Sequence, residues 1–260
     1  MEAVLAVVWA QLGRVRVTLV FAATLAVVAQ VLFCLGPGVQ SEIVRQASTN
    51  LHNLGQGRLE TLIGSVFVND AGPIYIWLPG LVAMLALGEL LWQSRRLVVA
   101  FTVGHLGATL IVAAGLAAAL AAGLLSRSIA DVADVGMSYG AVGVLGTFTA
   151  AIPARRRPAW VGWWLSVAVG SIALSGGAFT NVGHGVALVL GMAVGSRFGA
   201  PSRWTATRCG LLAVAAAFGY LLVGYNEMSL SMTAGFGAVG ALSVSAGSAL
   251  IRRGFSASPG

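Results

Sequence analysis

Long apolar runs separated by short clusters of charge dominate the pattern of this 260-residue chain. A membrane helix needs roughly 20 mainly apolar residues. Charge-free stretches of about that length cover residues 17–41, 71–88, 97–126, 135–154, 209–226 and 228–251. A further stretch, 158–196, is about twice as long and contains Ser175-Gly176-Gly177, where two glycines loosen any helix. The pattern therefore predicts eight spans and an all-α polytopic membrane protein.

The connections between the predicted helices are short, with one exception. That exception is the loop from Gly36 to Pro73, whose apolar spacing is typical of a short helix lying in the membrane interface. A solvated loop is the alternative. We place the eight helices near residues 17–35, 74–92, 97–122, 136–153, 159–174, 178–196, 209–225 and 229–251.

Arginine supplies every basic side chain except histidine and fixes the expected orientation. With the N-terminus in the cytoplasm, twelve arginines fall on the inner side, and only Arg45, Arg58 and Arg127 fall outside. This distribution follows the positive-inside rule, whereas seven or nine spans would place an arginine cluster on the wrong side. We therefore expect both termini in the cytoplasm. Because the chain has no lysine, which is typical of GC-rich genomes, we expect a bacterial plasma membrane.

Composition excludes a soluble globular domain. Apolar residues make up 58% of the chain and charged residues 9%, whereas a soluble domain needs about 25% charged residues. The net charge of +7 reflects topology and contact with anionic inner-leaflet lipid, so we expect the lipid bilayer as a partner and no nucleic acid. The two cysteines, Cys34 and Cys209, are predicted to lie a membrane thickness apart, too far for a disulfide.

Small residues concentrate in the fourth and sixth predicted helices. Because small side chains let membrane helices approach closely, we expect these two helices to pack with little space between them. The glycines are Gly136, Gly140, Gly143 and Gly146 in the fourth helix, and Gly183, Gly185, Gly191 and Gly195 in the sixth.

Ser138 and His184 are the polar residues most suited to chemistry. Ser138 lies 17 residues from Arg155 and His184 lies 13 residues from Arg197, which places them about 25 and 20 Å from the inner surface. A serine and a histidine at similar depth on close-packed helices can form a nucleophile and its general base. The alternatives are a serine that caps its own helix and a histidine that bonds a carbonyl.

The remaining histidines and acids offer weaker candidates. His105 is predicted to lie in the inner half of the membrane, and we assign it a structural role. The histidines lie on different segments without metal-ligand spacing, so we expect no metal and no cofactor. A small transporter is a third possibility, but the one acid close to a predicted span, Glu89, lies at its cytoplasmic end.

Motifs along the chain agree in order with those of one family of membrane enzymes. They are Arg58-Leu59 followed by Phe67, Glu89-x-x-x-Gln93-Ser94, Gly136-Met137-Ser138, and Asn181-x-x-His184-x-x-Ala187-x-x-x-Gly191.

Through these motifs, from about Arg58 to Gly195, the chain resembles the rhomboid family of intramembrane serine proteases. The resemblance implies a six-helix core with two additional C-terminal helices. It divides the chain into a cytoplasmic segment (1–16), a rhomboid-like membrane core (17–198), two further helices (199–251) and a cytoplasmic tail (252–260).

The resemblance also implies roles for individual residues. Ser138 corresponds to the nucleophile and His184 to the base, in an endopeptidase that cleaves transmembrane segments near the outer membrane face. Gly136 and Asn181 are supporting residues. Helix two lacks the family's histidine and asparagine oxyanion donors, and Asn69 is the nearest substitute. A catalytically inactive relative that binds transmembrane segments is the alternative.

Overall fold

A computed structural model describes residues 12–69, 72–201, 203–224 and 230–256. Residues 1–11 of the predicted N-terminal segment and 257–260 of the predicted tail lie outside these ranges, within which no β-strand occurs. Short 3₁₀ turns cover Gly13–Val15, Ser65–Phe67 and Arg127–Asp131, and a π-helical turn covers Val103–Gly107. The α-helices are α1 (Arg16–Leu35), α2 (Pro37–Ala47), α3 (Leu51–Gly55), α4 (Thr61–Gly64), α5 (Ile74–Thr102), α6 (Ala108–Ala121), α7 (Ser138–Ala151), α8 (Arg157–Leu174), α9 (Phe179–Gly195), α10 (Ala206–Gly224) and α11 (Leu230–Ser256).

The chain reverses direction within α5, at Gln93. This residue has φ 69° and ψ 165°, which is not helical. A Cβ added to Gly88 would stand 3.2 Å from the Leu97 side chain, although nine residues of straight helix would separate the two by about 14 Å. The stretch therefore consists of two arms, as the separate predicted helices 74–92 and 97–122 required.

A buried carboxylate fastens this reversal to the beginning of α1. Glu89 is 2% exposed, and its oxygens accept hydrogen bonds from Val17 N (3.0 Å), Thr18 N (2.9 Å), Thr18 Oγ1 (2.8 Å) and Ser94 Oγ (2.6 Å). The first N–H groups of a helix have no partner within the helix, and negative charge at that end is favourable. Glu89 thus caps α1 from another element.

Helix α7 lies at the centre of the bundle, and every residue from Tyr139 to Phe148 is buried. Its glycines allow backbone contact on two sides. A Cβ on Gly143 would stand 2.7 Å from the Cα of Gly104, and one on Gly146 would stand 2.8 Å from the backbone nitrogen of Met192 in α9. The predicted close packing of the fourth and sixth helices is confirmed.

The last two helices differ in what they contact. Helix α11 lies along α8, where a Cβ on Gly170 would stand 2.6 Å from the ring of Phe236. Helix α10 joins the central core, because Phe218 packs on Gly80 of α5 at 2.6 Å and Leu145 of α7 packs on Gly219 at 2.7 Å, by the same measure. The division of the chain at residue 198 stays a prediction.

Membrane-spanning character is clear for much of the chain. Four described stretches are long and apolar enough to cross a bilayer: Gly13–Leu35, Ile74–Ala121, Ala206–Gly224 and Leu230–Ile251. The second of these contains the reversal at Gln93, and Phe179–Gly195 is a shorter apolar helix. The protein is therefore an integral membrane protein in a lipid environment, while the count of eight spans and the side of each terminus stay predictions.

The long connection before α5 is largely helical in its described part, where it holds α2, α3 and α4. Asn50 caps α3, because its side-chain oxygen accepts a hydrogen bond from Asn53 N at 2.9 Å. The side chain of Asn53 in turn donates to Ser48 O at 2.7 Å. A short helix in this connection is confirmed, and its position in the membrane interface stays a prediction.

Candidate active site

Ser138 is the half-buried first residue of α7. The turn before it requires glycine, since Gly136 has φ 108°, a conformation that other residues rarely adopt. The N–H of Gly136 donates to Ser65 O at 2.8 Å. The first hydrogen bond of the helix is donated by Ala141, so the N–H groups from Ser138 onward that precede it have no helical partner and lie beside the serine hydroxyl.

Asn69 lies next to this turn. A Cβ added to Gly136 would stand 3.6 Å from Asn69 Oδ1. A side-chain amide carries both donors and acceptors, so this group can contribute to a polar site at the start of α7. The structure therefore brings together Gly136 and Asn69, two of the three supporting residues named from the sequence.

His184 lies on α9 and is 6% exposed. Neither of its ring nitrogens has a hydrogen-bond partner among the described residues. Most buried polar atoms in proteins do have such a partner, and an exception requires an explanation. Function is one such explanation.

Helices α7 and α9 are parallel and pack in a fixed register. Reading from their first turns, the Tyr139 ring lies against Gly183, Gly143 against Gly191, and Thr147 against Gly195. Residues 44 to 48 positions apart thus face each other, which places His184 at the level of Ser138 and Tyr139. This register agrees with the similar depth expected for the serine and the histidine.

Tyr139 makes the direct ring contact with His184. The two ring centroids are 5.4 Å apart at an interplanar angle of 82°, an edge-to-face arrangement. No hydrogen bond joins Ser138 to either ring nitrogen of the histidine. The structure therefore places the tyrosine that follows the serine against the imidazole, a contact that the sequence did not predict.

Asn181, the third supporting residue, lies one turn before His184 on α9 and is half-buried. Residues three apart in a helix share a face, so Asn181 and His184 lie on the same side of α9. Its backbone N–H donates to Ala178 O at 3.0 Å, within the first turn of the helix. Asn181 thus lies at the edge of the site nearest the beginning of α9.

Asp134, which directly precedes the charge-free stretch 135–154, is a further residue at the site. Its backbone N–H donates to Ser48 Oγ at 2.8 Å, and its carbonyl accepts from Thr49 N and Thr49 Oγ1, each at 3.0 Å. Burial raises the pKa of its carboxyl from 3.8 to about 6, although the nearby hydroxyls of Tyr139 and Thr49 oppose part of this rise. The segment that leads to Ser138 is thereby clamped to the long connection.

His105 lies apart from this site. It is buried, with Nε2 3.1 Å from Leu62 O and 3.5 Å from Ser65 Oγ. This contact with a carbonyl agrees with the structural role expected for His105. Among the residues that the structure describes, no group of three or more His, Cys, Asp or Glu side chains is placed to hold a metal ion.

Comparison with known proteins identifies a family. No curated protein and no solved structure matches the chain. A family model described as rhomboid-like protein matches residues 12–200, which include the range from Arg58 to Gly195 that carries the motif resemblance. The resemblance read from those motifs is confirmed, and the chain belongs to the rhomboid-like family.

Proposed function

We propose that the protein is an intramembrane serine endopeptidase of rhomboid type, with Ser138 as nucleophile and His184 as general base. It cleaves transmembrane segments of other proteins near the outer face of a bacterial plasma membrane, with both termini in the cytoplasm. One observation carries the proposal: His184 is buried with both ring nitrogens unpartnered, at the level of a serine that opens the neighbouring helix.

The unpartnered imidazole argues against a merely structural histidine. Leaving a buried donor or acceptor without a partner costs about 1–3 kcal/mol. An apolar residue in the same place would avoid that cost and would pack well between helices. A histidine that must accept and donate a proton during turnover gives the unpartnered nitrogens a use.

The chemistry follows from these positions. The Ser138 hydroxyl attacks the carbonyl carbon of a peptide bond while its proton passes to a ring nitrogen of His184. When the tetrahedral intermediate collapses, the C–N bond breaks and His184 gives that proton to the leaving amine. Water then loses a proton to His184 and attacks the acyl ester. As the ester C–O bond breaks, His184 returns this proton to the Ser138 oxygen, which releases the new carboxyl group and restores the serine.

The negative oxygen of the intermediate needs donors around it. The unpaired N–H groups of the first turn of α7 supply backbone donors, and the Asn69 amide beside Gly136 supplies a side-chain donor. Asn69 thereby replaces the donors that the family carries on helix two. Gly136 permits the turn that exposes these groups.

Turnover requires a small rearrangement around Tyr139. Catalytic hydrogen bonds are often long in a protein without substrate and shorten in the complex. Here the tyrosine ring lies against the imidazole, and we propose that substrate entry moves it so that His184 can reach Ser138.

Labelling with a fluorophosphonate probe tests the proposal directly. The purified protein should label, Ser138→Ala should not, and His184→Ala should label at least about 100-fold more slowly, since an acid–base group contributes on that order. Ser196→Ala is the matched control, because Ser196 is an exposed serine that directly follows the C-terminal end of α9, the helix that carries His184 near its beginning. This control should label like the unmodified protein.

The alternative is an inactive relative that binds transmembrane segments. The contact between Tyr139 and His184 favours it, because the tyrosine ring packs directly against the imidazole. Absence of labelling and of cleavage in the folded, unmodified protein would refute the protease proposal and support the binding protein.

A further inference from the structure

An apolar groove runs along the outside of the bundle, between α1, the arm of α5 that follows Gln93, and the segment containing α4. Its deeper part has a volume of about 360 Å³ and is lined by residues including Leu62, Leu97 and Phe101. A shallower part of about 410 Å³ is lined by Arg16, Val20 and Thr24. The two parts are continuous, because Val17, Phe21 and Phe67 line both.

The groove has the length of one lipid leaflet. Its wall along the second arm extends from Leu97 to Leu106, nine residues or about 14 Å of helix. Half the hydrocarbon thickness of a bilayer is about 15 Å. Two lining residues, Ile63 and Val98, are 68% and 47% exposed, so the groove opens away from the core toward lipid.

Positive charge lies at one end of the groove. Arg16 forms part of its wall. The Glu89 carboxylate binds both Val17 N and Ser94 Oγ, so the backbone of Arg95, which follows Ser94, lies close to that of Arg16. In the described part of the chain, neither guanidinium group forms a hydrogen bond or an ion pair.

We infer that this groove binds one anionic phospholipid, with an acyl chain along α1 and the second arm of α5 and the phosphate on Arg16 and Arg95. Basic pockets between transmembrane helices are suited to anionic headgroups, and guanidinium groups bind phosphate oxygens in a bidentate manner. The apolar wall supplies the remaining contact, since each buried CH₂ contributes about 0.8 kcal/mol. This inference does not depend on the proposed protease activity.

Native mass spectrometry of the full chain in a mild detergent tests the site. The protein is offered phosphatidylglycerol and phosphatidylcholine with the same acyl chains at equal concentration. The expected result is preferential retention of phosphatidylglycerol. In Arg16→Gln/Arg95→Gln, its retention should fall by about fivefold for each arginine removed, while Arg155→Gln/Arg156→Gln, a control pair at another exposed loop, should retain it normally.

A second pair of variants tests the acyl-chain contact. Val98→Trp and Thr102→Trp each place a large ring in the groove from an exposed lining position. Each variant should lower retention of both lipids. The comparison is made with a variant that shows a cooperative thermal unfolding transition and is therefore folded.

Several outcomes would overturn the inference. These are equal retention of the two lipids, equal loss in the control pair, and unchanged retention in a folded tryptophan variant. The inference would also be overturned if phosphatidylglycerol is retained only after residues 2–10 are deleted, because the natural occupant of the groove would then be that segment of the chain. Competition by glycerol phosphate alone would reduce the site to an anion-binding corner and would equally contradict a lipid groove.

Discussion

Replacing Gln93 with glycine should stabilise the protein. Gln93 holds φ 69° and ψ 165° at the reversal between the two arms of α5, a region of backbone conformation that is essentially restricted to glycine. Its side chain is exposed and has no hydrogen bond with a described residue. Gln93→Gly therefore removes strain without removing a contact.

The size of the effect follows from two opposing terms. A non-glycine residue in such a region costs on the order of 1–3 kcal/mol. Glycine gives back roughly 0.5–1 kcal/mol of this gain because it has more freedom in the unfolded chain. At the midpoints of these two ranges, the net increase in the free energy of unfolding is about 1 kcal/mol. Gln93→Ala keeps the Cβ and the strain, so it should gain nothing.

Equilibrium unfolding in mixed detergent micelles measures this difference, with circular dichroism as the signal. The unmodified protein, Gln93→Gly and Gln93→Ala are each measured in the same detergent mixture. The order of stability should be glycine first, with alanine and glutamine close together. A glycine variant no more stable than the alanine variant would refute the reasoning, because it would mean that the backbone at Gln93 is not strained. Loss of the reversal itself would show as a changed helix content in the folded baseline.

Other positions give further predictions. Glu89→Ala should lower the free energy of unfolding by several kcal/mol, because it leaves the N–H groups of Val17 and Thr18 without their acceptor; Glu89→Gln, which keeps an acceptor, should lose less in the same unfolding assay. Stability should fall as pH rises through the window from 3.8 to about 6, because the folded state binds a proton on Asp134 more tightly than the unfolded state does. Thermal unfolding at pH 5 and pH 7 should show this fall in the unmodified protein and a smaller one in Asp134→Asn; equal falls would contradict it. Tyr139→Gly should label with fluorophosphonate faster per folded molecule, because the ring no longer packs against His184; slower labelling would mean that Tyr139 positions the imidazole.

Much of the helical framework was predictable from the sequence. Charge-free apolar runs located the membrane helices because a bilayer excludes charge over a fixed thickness. The break at Ser175-Gly176-Gly177 is confirmed, with φ 64° at Gly176 and 82° at Gly177. Details that depend on other segments were not predictable. The π-helical turn Val103–Gly107 is one such detail, and it lies where Gly104 meets Gly143 and where His105 meets Leu62.

Part of the candidate site was likewise predictable from the sequence, and part was not. Depth could be counted from the nearest arginines, so the common level of Ser138 and His184 followed from helix geometry. Side-chain contacts could not, because the spacing of residues does not specify which of two adjacent side chains meets a ring on another helix. The tyrosine contact and the clamp at Asp134 are of this kind, and the clamp joins residues 85 or more positions apart.

The two attachments of the segment before α7 have a consequence for how the serine can be influenced. That segment is bound to Thr49 through Asp134 and to Ser65 through Gly136. The position of Ser138, the proposed nucleophile, therefore depends on a stretch of chain that precedes it by more than 70 residues. Any antibody, lipid or protein that displaces the Ser48–Ser65 stretch outward would also shift Ser138. Binding to this stretch would therefore change the position of the hydroxyl without occupying the place where a substrate would lie.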